Sequence, residues 1–175
     1  MLMEQRSNEE HEGFSFRPMK IEDIPNVMVI EHEAFTLPWS ETAFRNELMN
    51  NLFAKYLVME NDGDPIGYAG MWMIVDEAHV TNIAILQAYR GRKLGDRLME
   101  ELMIIAANMG MIRMTLEVRV SNTIARRLYE KKGFVSAGLR KGYYSDNHED
   151  AVIMWADLPE YEEYGSREGR VEIDE

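Results

Sequence analysis

The segment Arg90–Asp96 places basic side chains and two glycines directly before a long helical pattern. A helix that begins after such a loop offers unpaired backbone N–H groups and its positive end to an anion. Arg90, Arg92, Lys93 and Arg97 add positive charge around the same point. The spacing fits neither a Walker A loop nor a G-x-G-x-x-G dinucleotide fingerprint. We therefore predict a phosphate or pyrophosphate site of another kind. The alternative is a helix start that is merely basic.

Glu117 and Tyr129, which lie further along the chain, could transfer protons. Glu117 lies between Leu116 and Val118 in an alternating strand pattern, where a carboxylate is expected to face water or a functional site. Tyr129 lies in the next helical pattern, and its phenol could act as a proton donor. The alternatives are a solvent-facing Glu117 paired with Arg119 on the same face, and a half-buried Tyr129 with its hydroxyl at the surface.

Strand and helix patterns alternate around these residues. Leucines 94, 98 and 102 begin one apolar stripe of a long helix that ends at Gly110, and Ser121-Asn122 begins another helix that Gly133 ends. The remaining helices are predicted at Ile21–Phe35 and Glu41–Asn50. The predicted strands are Phe14–Pro18, Phe53–Glu60, Ile66–Val75, Ala78–Leu86, Ile112–Val120, Phe134–Tyr144 and Glu149–Leu158. The order βααβββαβαββ predicts an α/β (α+β) fold with one mixed, mostly antiparallel sheet and helices on both faces.

Charge is distributed unevenly along the 175 residues, whose formal net charge is −12. We predict acidic tails at residues 1–13 (net −3) and 160–175 (net −5), which flank a single domain at 14–159. Residues 14–88 carry a net −7 and residues 89–141 a net +7. Such a division suits a cationic ligand on one side and a polyanionic ligand on the other. The alternative is an ordinary solvated surface.

Several classes of protein are excluded or disfavoured by composition. The absence of cysteine excludes a disulfide scaffold, a zinc ribbon and a thiol nucleophile. The four histidines lack metal-ligand spacing, so no metal is predicted. No apolar run approaches the ~20 residues that span a bilayer, and the acidic start has no signal-peptide apolar region. The net charge disfavours nucleic acid. We expect a cytoplasmic monomer or weak oligomer with no membrane partner.

The basic loop carries a resemblance to a known family. Arg90-Gly91-Arg92-Lys93-Leu94-Gly95 is similar to the Q/R-x-x-G-x-G/A pyrophosphate loop of the GNAT acyl-CoA N-acyltransferases, with Lys93 at the position of the first glycine. The segments TNIAIL, LEVRVSN, LYEKKGF, GYY and EDAVIMW further resemble the bacterial ribosomal-protein N-terminal alanine acetyltransferases. The resemblance covers residues 14–158 and implies the GNAT fold.

The resemblance implies that acetyl-CoA is the co-substrate. It would insert between the strands Ala78–Leu86 and Ile112–Val120, which are expected to splay apart. The backbone of Ile83, Ala84 and Ile85 would then pair with the pantetheine arm as a further strand. Lys93 is expected to offer its backbone N–H if its backbone angles are ordinary. The implied cofactor-binding residues are Ile83, Ala84, Ile85, Gly91, Arg92, Lys93, Leu94, Gly95, Asp96 and Asn122.

The resemblance also implies the reaction and the acceptor. Glu117 matches the family's general base and Tyr129 its general acid, with direct attack of an amine on the thioester. The implied acceptor is the N-terminal Ala of small-subunit ribosomal protein number eighteen. Its first residues would be gripped by a loop and a hairpin that contain Phe35, Leu37, Trp39, Tyr143 and Tyr144. The alternative for these side chains is a lid over the hydrophobic core.

Energetics favour an α-amine acceptor without excluding others. An α-amine of pKa about 7.7–8.0 is roughly 15 % neutral at pH 7, whereas a lysine amine of pKa about 10.4 is neutral only about 0.04 % of the time. A single base such as Glu117 therefore suffices more readily for an N-terminus. Two alternatives stay open: acetylation of lysine or of a small amine, and a non-catalytic acyl-CoA-binding module.

Overall fold

A computed structural model describes residues 13–160 of the chain. Seven strands and four α-helices follow one another in the predicted order, with 3-10 turns at Ile21–Asp23 and Gln87–Tyr89. The strands are β1 (Phe14–Pro18), β2 (Ala54–Asn61), β3 (Asp64–Ile74), β4 (Glu77–Ile85), β5 (Arg113–Arg119), β6 (Val135–Arg140) and β7 (Ala151–Asp157). The helices are α1 (Ile24–Ala34), α2 (Glu41–Asn50), α3 (Leu94–Asn108) and α4 (Thr123–Lys131).

The strands form one seven-stranded sheet in the order β1-β2-β3-β4-β5-β7-β6. Among the strands of the described residues, only β4 and β5 pair in parallel, and every other neighbouring pair is antiparallel. Asp62 and Gly63 form the tight turn between β2 and β3, with φ angles of 49° and 88°. Two successive positive φ angles give the turn whose twist matches a β-hairpin. The sheet is therefore built largely from neighbours along the chain.

Two hydrophobic clusters lie on opposite faces of the sheet. Leu57 and Met59 of β2 belong to the cluster that packs on α3, whereas Tyr56 and Val58 belong to the cluster that packs on α1 and α2. This alternation is the period-2 geometry of a strand buried on both faces. The buried apolar stripe of α3 covers the first face, as its leucine spacing predicted. The sheet thus separates an α3–α4 face from an α1–α2 face.

Most predicted elements agree with the structure, and the last hairpin differs. The element order is confirmed, but β6 ends at Arg140 and β7 begins at Ala151, so Tyr143 and Tyr144 lie in the connecting loop and not in a strand. α1 begins at Ile24 because a 3-10 turn occupies Ile21–Asp23. Within residues 13–160, no helix is long and apolar enough to cross a membrane. Apart from Gly13 and Glu160, the predicted acidic tails lie outside the described residues.

Candidate active site

Strands β4 and β5 separate near the middle of the sheet. Their parallel pairing covers only Glu77–Arg113, Ala78–Met114 and His79–Thr115, although both strands continue well beyond it. A β-bulge in β4 accompanies the separation, since Gly70 pairs with Asn82 and Met71 with Val80, which leaves Thr81 as the extra residue. Bulges bend a strand and end pairing in this way. The separated strands leave backbone groups on both edges free to bind a ligand.

A cavity of about 810 Å³ opens at this gap. Both strands line it, together with the α1–α2 loop, the start of α4 and the β6–β7 loop. It contains four carboxyl groups, from Glu31, Glu117, Asp146 and Glu149, and one guanidinium, from Arg119. The remaining lining residues that bear on the prediction are Phe35, Leu37, Trp39, Ile83, Asn122, Tyr129, Tyr143 and Tyr144. The structure therefore brings the predicted catalytic and acceptor residues to one place.

The basic loop adopts a left-handed backbone at two positions. Gly91 has a φ of 79° and Lys93 a φ of 59° and ψ of 20°. The condition of ordinary backbone angles at Lys93 is therefore not met. The physical reason is that the loop must turn sharply into α3, and the left-handed geometry that glycine adopts freely is imposed here on a residue with a side chain. The loop therefore has the shape that a glycine at this position would give, and the side chain of Lys93 makes that backbone conformation sterically unfavourable.

Helix α3 begins with unpaired backbone donors. Among the described residues, no side chain caps its N-terminus, and its first helical hydrogen bond runs from Arg97 N–H to the Lys93 carbonyl. The N–H groups of Leu94, Gly95 and Asp96 therefore precede the helical ladder. The Leu94 side chain is buried in the core, and the Asp96 carboxylate pairs with Lys132 Nζ at 2.9 Å. Only the backbone of these two residues is thus available to an anion.

Asn122 is the N-cap residue of α4 and lies at the edge of the cavity. Its side-chain oxygen accepts a hydrogen bond from Ala125 N–H at 3.2 Å, which is an N-cap. The amide nitrogen is not used by this cap. The residue therefore has a structural role and can also contact a ligand in the cavity.

Glu117 lies on the wall of the cavity with its side chain about one-quarter exposed. Its Oε1 lies 3.3 Å from Arg140 Nε. Arg119 instead pairs with Asp146, at 2.7 Å. The alternative pairing of Glu117 with Arg119 is therefore not found. Two residues on one face of a strand can pair, but both here meet stronger partners from β6 and the β6–β7 loop.

Tyr129 lies in a different environment. It is buried, packs beside Phe134 and still lines the cavity. Burial, with a smaller contribution from Tyr144, raises the pKa of its phenol to about 12. The phenol therefore stays protonated throughout the neutral range.

A polar bridge joins the α1–α2 loop to the β6–β7 loop, at the side of the cavity that the predicted acceptor residues line. Thr36 Oγ1 donates to Asp146 Oδ2 at 2.7 Å, and Arg119 donates to the same oxygen at 2.7 Å. The Arg119 guanidinium in turn lies 3.9 Å from the centre of the Tyr144 ring, and Tyr143 packs edge-on to Tyr144. The bridge connects the α1–α2 loop to the β6–β7 loop.

The predicted acceptor residues divide between core and cavity. Trp39 packs on Phe44 and on the α1–α2 core, and it also lines the cavity. It therefore covers part of the core, as the alternative prediction had it, and borders the cavity as well. Leu37 and Tyr143 are at least half exposed. Exposed apolar side chains at a cavity mouth are a feature of binding sites.

Sequence reasoning missed Glu31 and Asn82, which are both buried at the cavity wall. Glu31 accepts hydrogen bonds from Trp39 N–H at 3.0 Å and from the Tyr68 hydroxyl. Burial raises the pKa of the Glu31 carboxyl, and these two hydrogen bonds act against that rise. The available signal was a carboxylate on the apolar stripe of α1, next to Ile30.

Comparison with known proteins defines the class of this fold and site. The family model for the acetyltransferase (GNAT) family matches residues 24–134, which is more than half of the chain. The chain belongs to the acetyltransferase (GNAT) family, as the pyrophosphate loop and the element order predicted. Members of this family use acetyl-CoA as acetyl donor.

Individual relatives are more specific. A Bacillus subtilis (strain 168) protein, named as a candidate ribosomal protein bS18-alanine N-acetyltransferase, is 46% identical over 144 residues, which are 82% of this chain and 95% of the relative. The crystal structure of the ribosomal-protein-S18-alanine N-acetyltransferase from Escherichia coli superposes with a TM-score of 0.78 at 31% identity, and the match covers 86% of this chain and 97% of that one. These findings confirm the predicted family resemblance and the class of acetyl-CoA-dependent N-acetyltransferase.

A further structure bears on the co-substrate. A GNAT family acetyltransferase from Elizabethkingia anophelis with acetyl-CoA bound has a TM-score of 0.71 at 18% identity, covering 84% of this chain and 99% of that one. The likeness shows a shared fold. In this chain the separated strands and the uncapped start of α3 fit such a ligand.

Proposed function

We propose that this protein transfers the acetyl group of acetyl-CoA to the N-terminal α-amino group of a protein, and that its acceptor is the N-terminal Ala of ribosomal protein bS18. The observation that carries the proposal is the convergence of Glu117, Tyr129 and two aromatic loops on the cavity between β4 and β5. The names of the relatives in B. subtilis and E. coli support the acceptor.

Acetyl-CoA binds in the gap between the separated strands. The free edge of β4 at Ile83, Ala84 and Ile85 pairs with the pantetheine arm. The N–H groups at the start of α3, with the Gly91–Lys93 turn, hold the pyrophosphate, because they are unpaired donors at the positive end of a helix. Asn122 contacts the same ligand from the start of α4.

Glu117 removes a proton from the acceptor amine, directly or through a water molecule. Its partly exposed position gives solvent access to the proton that it takes up. The neutral amine nitrogen attacks the thioester carbon, and Glu117, having passed its first proton to solvent, takes the proton that the nitrogen loses as the C–N bond forms. The C–S bond then breaks. Tyr129 donates to the departing sulfur. Because a phenol is a weaker acid than a thiol and burial weakens it further, Tyr129 acts mainly by a hydrogen bond that stabilises negative charge on sulfur.

The acceptor enters between the α1–α2 loop and the β6–β7 loop. Phe35, Leu37 and Trp39 on one side and Tyr143 and Tyr144 on the other form a narrow slot for a small first residue. The excess of carboxyl groups in the cavity lining favours a cationic N-terminus and basic residues behind it. The proposal implies a cytoplasmic enzyme, because ribosomal proteins are made there.

A panel of acceptors tests the proposal. A peptide with the N-terminal residues of bS18, a version that begins with Leu, a version with a blocked N-terminus and a free Lys, and spermidine are scored for CoA release. The free Ala peptide should have the highest kcat/KM. Faster turnover of the blocked Lys peptide or of spermidine would contradict the proposed acceptor and leave the family assignment unchanged.

A further inference from the structure

The side-chain oxygen of Asn82 is buried and unpaired. Asn82 is 6 % exposed, and its Oδ1 has no hydrogen-bond partner among the described residues. The other two buried atoms in this state are nitrogens of Arg97 and Arg126, which are donors. Buried polar atoms in proteins are nearly always paired, so an unpaired acceptor at a cavity wall indicates a missing donor.

Asn82 and Glu117 face the same side of the sheet from the two separated strands. Ala84, two residues beyond Asn82 on β4, belongs to the cluster on the α1–α2 face. Leu116 and Val118 belong to the opposite cluster, so Glu117 between them faces the α1–α2 side. The two side chains therefore lie on facing walls of the cavity, on the side where the acceptor loops are.

A buried network holds Asn82 in place. Its side chain lies against the Tyr68 hydroxyl, which donates to Glu31. Glu31 also accepts from the backbone of Trp39, at 3.0 Å, in the α1–α2 loop. The network thus links the orientation of the Asn82 amide to the loop that bounds the acceptor slot.

We propose that Asn82 Oδ1 accepts a hydrogen bond from an N–H of the acceptor amine and orients its lone pair toward the thioester. This inference rests on the proposed function. A neutral primary amine has two N–H bonds and one lone pair. The lone pair forms the C–N bond, one proton leaves to Glu117, and the other N–H remains on the amide product, held by Asn82. The sulfur departs with the electrons of the C–S bond as a thiolate, which the Tyr129 hydroxyl stabilises by a hydrogen bond.

An amide oxygen suits this position better than a carboxylate. It accepts a hydrogen bond but does not take the proton at neutral pH, so it does not compete with Glu117. It also lacks the negative charge that would stabilise the unreactive ammonium form of the acceptor. Asn82 is therefore a further catalytic residue that selects and orients the neutral amine.

Three variants test this assignment with the best acceptor from the panel. Asn82→Ala removes the acceptor oxygen and should lower acceptor kcat/KM about 10- to 100-fold, with the acetyl-CoA Kd from calorimetry within about twofold of wild type. Tyr68→Phe is the matched control, because it breaks the same network but keeps Oδ1. It should lower Tm at least as much as Asn82→Ala and lower kcat/KM clearly less. Equal losses in both variants would overturn the proposal.

Asn82→Asp gives a readout that a structural role would not move. A buried carboxylate beside the amine raises the pKa of the bound ammonium, so the pH at which kcat at saturating acceptor reaches half its maximum should move upward. An unchanged pH profile in Asn82→Asp would overturn the proposal even if Asn82→Ala failed to fold. If the best acceptor is a lysine peptide or spermidine, the proposed function fails while these variants still decide the role of Asn82.

Discussion

The two proposed proton-transfer residues, Glu117 and Tyr129, differ in their surroundings in a way that suits their proposed roles. Glu117 is partly exposed and lies beside the Arg140 guanidinium, so it can pass a proton to solvent. Tyr129 is buried at the base of α4, where water competes little for its hydrogen bond. A base in contact with water and a donor shielded from it suit an amine that enters from solvent and a sulfur that leaves within the cavity.

Removing either group should reduce chemistry more than binding. Glu117→Gln and Tyr129→Phe should each lower kcat about 10²–10⁴-fold, while the acetyl-CoA Kd from calorimetry stays close to wild type. Raising the pH should partly restore Glu117→Gln, because hydroxide then deprotonates the amine. Glu130→Gln, on the exposed side of α4, is the control and should behave as wild type. Near wild-type rates in both active-site variants would contradict the mechanism.

The pH profile should show no loss of activity from ionisation of Tyr129 below about pH 11. Burial raises the pKa of this phenol to about 12, so the protonated form that donates to sulfur persists far above the ordinary range of tyrosine. Steady-state kcat measured from pH 7 to 10.5 should therefore rise or level off. A fall centred near pH 10 that disappears in Tyr129→Phe would contradict this assignment.

Lys93 should be a site of stored backbone strain. Its φ of 59° costs a residue with a side chain about 1–2 kcal/mol, and glycine recovers part of this while it adds entropy to the unfolded chain. Lys93→Gly should therefore raise the free energy of unfolding by up to about 1 kcal/mol in urea melts. Lys93→Ala loses the same charge and keeps the strain. A Gly variant no more stable than the Ala variant would disprove the strain.

At the scale of elements, local patterns predicted more than long-range pairing. The leucine stripe of α3 depends on neighbours along the chain, and its prediction agrees with the structure. The separation of β4 from β5 depends on a bulge at Thr81 and on contacts between distant segments. Only the family resemblance pointed to it. The extent of β6 was overestimated for the same reason, because Tyr143 and Tyr144 suit a strand but lie in a loop, where Tyr144 packs with Arg119 and Tyr143 packs on Tyr144.

In the candidate site too, contacts between distant segments could not be predicted from local patterns. The sequence around Glu117, Tyr129 and the basic loop was enough to predict a role for each of them. Glu31 has its partners 8 and 37 residues away, so its hydrogen bonds could not be predicted from its helix alone. The same holds for Asn82, whose neighbour Tyr68 lies on another strand.

The Asp146 bridge should act on acceptor binding alone. Asp146 accepts from Thr36 and Arg119 and so joins the two loops that bound the acceptor slot. Hydrogen bonds from Arg119 and Thr36 hold the pKa of its carboxyl below the usual value, so the bridge persists throughout the neutral range. Asp146→Ala should raise acceptor KM roughly fivefold, and Thr36→Val somewhat less. A matching rise in acetyl-CoA KM would contradict a role confined to the acceptor.

At the scale of the whole molecule, the proposed sites of the two ligands carry opposite charges. The start of α3 carries Arg90, Arg92 and Lys93, whereas the cavity lining carries four carboxyl groups and one guanidinium. Of these four carboxyl groups only Glu31 comes from residues 14–88, so the fold, and not the division of charge along the chain, makes the cavity acidic. A polyanionic co-substrate and a cationic acceptor can thus approach one small domain without competing for the same surface.

Salt should therefore weaken the association of both acetyl-CoA and the peptide, and each effect should appear in the KM of that ligand. Screening acts over about 10 Å at 0.1 M ionic strength, so raising NaCl from 20 to 300 mM (on the order of a fourfold fall in Debye length) should raise the KM for a basic bS18 peptide and the KM for acetyl-CoA. Replacing the downstream Arg residues of the peptide with Glu should cost more kcat/KM at low salt than at high salt. Arg90→Ala with Arg92→Ala should reduce the salt dependence for acetyl-CoA and leave that for the peptide unchanged. If the double variant removed both dependences together, the basic loop would govern the overall field of the protein, and the separation of the two charged surfaces would be disproved.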